Sequence, residues 1–196
     1  MTQRIVPAGA LHFDTALGPV LLAYGPKGVK ELHLPDPGPA PRRSGAHLAG
    51  AAAGGASASA ETGVRLPRLG STRLVPTWVR TLVRRIQGHL EGAYDHFDDV
   101  PLDLPDRATA FEREIWAAAR EVPPGATITY GELARAAGYP GAARACGRAM
   151  KRCPVALIIP AHRVVAAGGR IGGWTGPGGI ATKRRLLEIE GVSLPP

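Results

Sequence analysis

The 196 residues suffice for one large domain or two small ones, and the apolar fraction of 44% is ordinary for a globular chain. Two cysteines, Cys146 and Cys153, exclude a disulfide framework and a cysteine-rich zinc site, and the six histidines show no metal-ligand spacing, so no metal is expected. Of the net charge of +8 most falls in residues 106–196, which carry 13 basic and 7 acidic side chains; such an excess points to an anionic partner, with nucleic acid the usual one, against a plain solubility charge.

No run reaches the roughly 18 consecutive apolar residues of a membrane span. Met1-Thr2-Gln3-Arg4 leads into a mixed segment without a signal peptide's apolar core, so the expectation is a cytoplasmic protein with no membrane contact. Residues 4–35 read as strands, with turns at Leu17-Gly18-Pro19 and Pro26-Lys27-Gly28. Residues 36–74 are low in complexity, and Ala49 to Ala60 contains only Ala, Gly and Ser. Such a segment buries too little apolar surface to offset its ordering entropy, and it is expected to be a long, partly mobile loop.

Helical periodicity returns at 76–92, where Trp78, Leu82, Ile86 and Leu90 recur every four residues. Pro101-Leu102-Asp103-Leu104-Pro105 reads as an extended linker. This divides the chain into a first domain, 1–105, and a second, 106–196. The second opens with a helix at about 109–121, capped by Thr109, with Phe111, Ile115 and Trp116 on its buried side. Two short helices follow at about 130–137 and 141–151, separated by Gly138-Tyr139-Pro140, a helix-turn-helix candidate. A strand-like apolar run, Val155 to Ile159, a Gly-rich loop over 168–179 and a last helix at about 181–190 complete the chain.

A more specific signal lies between residues 109 and 191. Its segments are Phe111 with Ile115-Trp116; Pro124-Gly125-Ala126-Thr127-Ile128-Thr129-Tyr130; Ala143-Arg144-Ala145-Cys146-Gly147; Ile158-Ile159-Pro160-Ala161-His162-Arg163-Val164; and Lys183 with Leu186-Leu187 and Glu190-Gly191. In order and spacing they resemble the O6-alkylguanine-DNA alkyltransferase family, the methylated-DNA–protein-cysteine methyltransferases, with one short insertion near Pro177-Gly178. The first half resembles the family more loosely, through Leu17-Gly18-Pro19-Val20-Leu21-Leu22-Ala23 and Pro101-Leu102-Asp103. The resemblance implies an α/β fold: a small N-terminal domain with an antiparallel sheet, and a mostly helical C-terminal domain with a helix-turn-helix. It also implies a monomer without cofactors, whose partner is double-stranded DNA containing O6-alkylguanine.

The family moves an alkyl group from guanine O6 to a cysteine. A thiol attacks poorly unless ionised, so a histidine takes its proton and a glutamate orients the histidine. The resemblance places these roles at His162 and Glu190 and the nucleophile at residue 161, which is Ala161. A methyl side chain cannot attack. A second departure is Cys153, where the family usually has asparagine; a small, buried, inert thiol is its expected role, as it is for Cys146. The binding residues are retained. Tyr130, after Thr129, is placed to push on the target phosphate during nucleotide flipping, and Arg144 to fill the gap in the stack. Small neighbours, Ala142, Ala145 and Gly147, let the helix approach the minor groove, and Arg163 is expected to contact DNA. Pro160, Trp174, Thr175 and Gly176 are expected around the flipped base, with the indole as a stacking face.

Three functions fit this pattern. The leading one is an alkyltransferase-like protein that binds O6-alkylguanine without alkyl transfer and passes the lesion to nucleotide excision repair. The alternative is an active methyltransferase inactivated by an engineered Cys-to-Ala change at Ala161; Cys153 counts against it, because an active enzyme is expected to keep the asparagine. A helix-turn-helix regulator is the third, and it leaves the spacing of Pro160, His162, Arg163 and Glu190 unexplained.

Overall fold

The computed structural model describes residues 8–35 and 75–194, so the expected loop at 36–74 lies outside the described residues. Three strands, β1 (Gly9–Thr15), β2 (Gly18–Gly25) and β3 (Gly28–His33), form an antiparallel sheet in that order. Alternation sets the face: Leu11 and Phe13, then Val20, Leu22 and Tyr24, are buried, while His12 and Asp14 face solvent. The second turn falls at Pro26-Lys27 as the punctuation placed it; the first falls a residue early, at Ala16-Leu17, with Gly18 and Pro19 already in β2. Gly28, at φ 143°, is required for a close approach, because a Cβ there would stand 2.2 Å from the carbonyl oxygen of Pro101. That approach lets Val29 donate to Pro101 O at 2.9 Å and accept from Asp103 N at 2.7 Å, so the expected linker lies along the sheet edge.

Helix α1 (Thr77–Leu90) buries Val79, Leu82, Val83, Ile86 and Leu90, whereas Trp78 is only half-buried. A strict four-residue repeat drifts around a helix of 3.6 residues per turn, and Val79 and Val83 complete the face in place of Trp78. Helix α2 (Ala110–Arg120) begins at a reciprocal capping box between Thr109 and Glu112 and buries Ile115 and Trp116. Each cap of this kind is worth about 1 kcal/mol. A two-residue strand β4 (Ile128–Thr129) then runs directly into α3 (Tyr130–Ala136), and α4 (Ala143–Lys151) follows after the turn through Gly138 and Gly141, both at positive φ.

The run Val155 to Ile159 is not a strand, contrary to its apolar composition. Leu157 takes a positive φ of 68°, and Ile158 N donates back to Ala156 O at 2.8 Å, which folds the backbone tightly. Val155, Leu157, Ile158 and Ile159 are all buried, so no alternation was available to distinguish a turn from a strand. The 3₁₀ turn Ala161–Arg163 and strand β5 (Val164–Val165) come next, and β5 pairs in parallel with β4. Helix α5 (Gly179–Ile189) closes the fold. The buried side chains of the sheet and of α1, α2, α3, α4 and α5 form one contiguous core. The two halves are further joined where Leu32 donates to Pro154 O at 3.0 Å and accepts from Ala156 N at 3.2 Å. Among the described residues no helix is long and apolar enough to cross a membrane.

Candidate functional site

The pairing of Ile128 with Val164 and of Thr129 with Val165 sets the geometry of the site. It brings the start of α3 beside the 3₁₀ turn, so that Tyr130 and Ala161 line one pocket of about 290 Å³ together with Gly147, Met150, Lys151, Gly173, Trp174 and Thr175. Of the residues expected around a flipped base, Trp174 and Thr175 line this pocket. Pro160 is buried beneath the turn, and Gly176 backs the Trp174 indole, so neither belongs to the lining. Met150, Lys151 and Gly173 join the wall without having been singled out; the position of Met150 and Lys151 one turn after Gly147 on the same helix was the available signal.

Under the pocket lies a buried polar cluster. His162 Nε2 is 2.9 Å from Glu190 Oε1, as the sequence pattern requires, and the other ring nitrogen, Nδ1, is buried without a partner among the described residues. Arg163 corrects an expectation. Instead of facing DNA it is almost wholly buried, donating through Nε and Nη2 to Glu190 at 2.7–3.2 Å and through Nη1 to Val122 O at 2.6 Å. In a 3₁₀ turn successive residues point about a third of a turn apart, and the inward direction falls to residue 163 as well as 162. A guanidinium so engaged is not available to a phosphate.

His89, from the last turn of α1, also reaches the cluster, with Nε2 3.0 Å from Glu190 Oε1. Nothing in the local sequence around His89 signals this contact. Burial opposes ionisation of Glu190, but the close approach of His162, His89 and Arg163 outweighs it and holds the carboxyl well below the usual range. Burial pushes the His162 ring below the ordinary imidazole value, and the Glu190 contact offsets this only in part. The ligand atoms of His89, His162 and Glu190 all lie within 4.8 Å of one another. The donor set nevertheless does not suit a metal: the Arg163 cation already occupies the carboxylate, and His89 Nδ1 accepts from Asp95 N at 3.1 Å, which puts the ring proton on Nε2, where a metal would bind.

Helix α4 turns Cys146, Ala149 and Met150 inward, and Trp116 Nε1 donates to Ala149 O at 2.9 Å to fix its end. Arg144, Arg148 and Lys151 are left exposed, and Arg144 forms no hydrogen bond or ion pair among the described residues. Ala142 stands at the N-cap position and Ala145 is half-exposed on the helix surface. At Gly147 a Cβ would lie 3.9 Å from the Tyr130 ring, so this small residue borders the tyrosine. Thr129 is committed to the cap of α3: its hydroxyl lies 2.7 Å from Glu132 Oε2 and accepts from Glu132 N at 3.2 Å. Tyr130 is half-buried, its hydroxyl 3.5 Å from Gly173 O, with Lys183 Nζ 5.8 Å from its ring centre. Cys153 is half-buried, not fully buried as expected, with its Sγ 3.8 Å from Val155 O, and burial pushes its thiol up to about 12, which keeps it protonated at neutral pH.

Residues 110–192 match the family model of the DNA binding domain of 6-O-methylguanine DNA methyltransferase. The chain is 44% identical over 108 residues to the methylated-DNA–protein-cysteine methyltransferase of Mycobacterium bovis, a match covering 55% of this chain and 62% of that protein. It is 38% identical over 112 residues to the enzyme of that name from Methanosarcina acetivorans, covering 57% of this chain and 69% of that one. The crystal structure of the Mycobacterium tuberculosis protein in complex with DNA superposes with a TM-score of 0.66 and 31% identity, covering 93% of this chain and 92% of that one.

Proposed function

We propose that this chain, which belongs to the 6-O-methylguanine DNA methyltransferase family, binds O6-alkylguanine in duplex DNA and holds it without alkyl transfer. One observation carries the reading: Ala161, which the family spacing puts at the nucleophile's position, lines one pocket with Tyr130, Trp174 and Thr175. A methyl group has no lone pair to offer carbon, and the thiol of Cys153 is both protonated and outside the lining.

The remaining residues suit recognition. A base must leave the helix before a pocket can inspect it. Tyr130, at the start of α3, would press on the target phosphate, and Arg144 on α4, which has no hydrogen bond or ion pair among the described residues, would fill the vacated stack. Trp174 offers an aromatic face to the extruded base, and base–aromatic stacking is worth about 1–3 kcal/mol. The cationic edge of α4 adds phosphate contacts, so binding weakens steeply with salt. Without a bond-making step, interaction energy acts on the ground state alone and the complex persists, which suits a protein that marks damage for another repair system such as nucleotide excision repair.

Two measurements test this. On incubation with duplex carrying radiolabelled O6-methylguanine, no label transfers to protein; stoichiometric labelling overturns the reading. In gel shifts the alkylated duplex is bound more tightly than the unmodified one, and Tyr130→Ala and Arg144→Ala each lose that preference; equal affinity for both duplexes removes lesion recognition.

A further inference from the structure

The contact between α1 and the site is built with more precision than packing requires. His89 Nδ1 accepts the backbone N–H of Asp95 at 3.1 Å, so the neutral ring carries its proton on Nε2. That nitrogen is buried 3.0 Å from Glu190 Oε1, in a bent approach rather than a straight hydrogen bond. Asp95 cannot shift freely to release the ring. Arg85 grips its carboxylate in a fork at 2.7 and 2.8 Å and reaches on to Asp99, while Phe97 N donates to Asp95 Oδ1 at 2.9 Å. The Phe97 ring lies 5.3 Å from the imidazole centre, and Arg120 Nη2 donates to Phe97 O at 2.7 Å and Val100 O at 2.9 Å. The loop between α1 and α2 is thus pinned from both helices, and its backbone selects the His89 tautomer.

We propose that His89 is a positioning residue of this site: with Arg163 it holds the Glu190 carboxylate so that His162 keeps its proton on Nε2 and presents Nδ1 as an acceptor. The groups facing His162 are Glu190 at the end of α5, Arg163 in its own turn and His89 of α1. Glu190 favours a charged imidazole; the other two disfavour it, as does burial. A neutral ring with a free Nδ1 offers a lone pair, whereas a protonated one would place an uncompensated N–H and a charge in the buried cluster. The N-terminal half therefore contributes to the protonation state of the site itself, whether or not the pocket receives an alkylated base.

The test reads ring nitrogens by NMR in the DNA-free protein, so its failure is separate from any failure of lesion binding. In the unsubstituted chain both His89 and His162 show the Nε2–H tautomer; a His89 ring protonated on Nδ1 overturns the proposal without any variant. In His89→Phe, Glu190 loses the close Nε2–H contact and leans harder on His162, whose titration midpoint rises by about half a pH unit or more. His89→Gln, whose amide nitrogen reaches the position of imidazole Nε2, returns the midpoint to its original value. An unchanged His162 tautomer and midpoint in a folded His89→Phe overturns the proposal and leaves His89 as packing. If His89→Phe does not fold, the decision passes to the His89 tautomer of the unsubstituted chain and to a His162 midpoint in His89→Gln that matches it; either result reversed overturns the proposal.

Discussion

A Cβ on Gly176 would stand 2.7 Å from Nε1 of Trp174, so the indole occupies the space that any larger residue at 176 needs. Gly176 thereby sets the place of an aromatic face that lines the same pocket as Ala161. Gly176→Ala must push the indole aside. The expected outcome is a loss of affinity for O6-alkylguanine duplex approaching that of Trp174→Ala, about 5- to 150-fold, as the stacking energy implies. Binding to unmodified DNA and the urea midpoint change little. Gel-shift titration of each variant with the two duplexes checks this; an unaltered lesion affinity in Gly176→Ala would show that the indole does not stack on the base.

Ala161→Cys restores a sulfur beside a neutral histidine whose Nδ1 is free to accept a proton. The expected outcome is gain of alkyl transfer, seen as one label per protein after incubation with labelled duplex. His162→Ala in the same background slows the transfer by about 100-fold or more, in the range typical of a lost general base. No transfer by Ala161→Cys would mean that the cluster or Cys153 departs too far from a working geometry.

Glu190→Gln removes the charge that Arg163 faces in the interior. Breaking a buried pair on one side costs about 3–5 kcal/mol, so the urea midpoint should fall sharply. The pH dependence has a defined sign. The folded carboxyl sits below its ordinary value of 4.5, so Glu190 contributes stability that is fully present above that value and is lost as pH falls through the folded value. Asp95, held low by Arg85, contributes in the same direction, and so the difference between Glu190→Gln and the parent isolates the Glu190 share. A parent chain no more acid-sensitive than the variant would contradict the assignment.

Lys183 supplies an alkaline counterpart. Its Nζ is buried, donating to Val164 O at 2.5 Å and lying 3.3 Å from Gly173 O, and burial pushes its ammonium down to about 8. Between about 8 and the ordinary 10.5 the unfolded chain binds more protons than the folded one, so this group makes stability rise with pH across that window. Lys183→Met removes the rise. The comparison is made by urea denaturation of both proteins through the window; parallel curves would show that the lysine stays charged.

Much of the architecture was legible because it rests on local chemistry. Thr109 marks the start of α2 as expected, and Gly18 and Gly28 flank the turns of the sheet; the second capping box, Thr129 with Glu132 at the start of α3, follows the same local rule. Residue type alone makes one point in any fold: an alanine at 161 cannot act as a nucleophile. The pairing of His162 with Glu190 was also readable, through family spacing rather than through any local rule. Other features waited for the tertiary structure. A residue's inward or outward direction in the 3₁₀ turn depends on what packs around it, which is why Arg163 proved to be a buried partner of Glu190 rather than a DNA contact. The tight turn at Leu157 was hidden because every neighbour in its run but Ala156 is buried, which erases the alternation that separates strand from turn. The contact of His89 with Glu190 joins residues 101 positions apart in the sequence. Only the packing of α1 against the C-terminal half brings them together, and no periodicity or motif encodes a distance between residues that do not share an element.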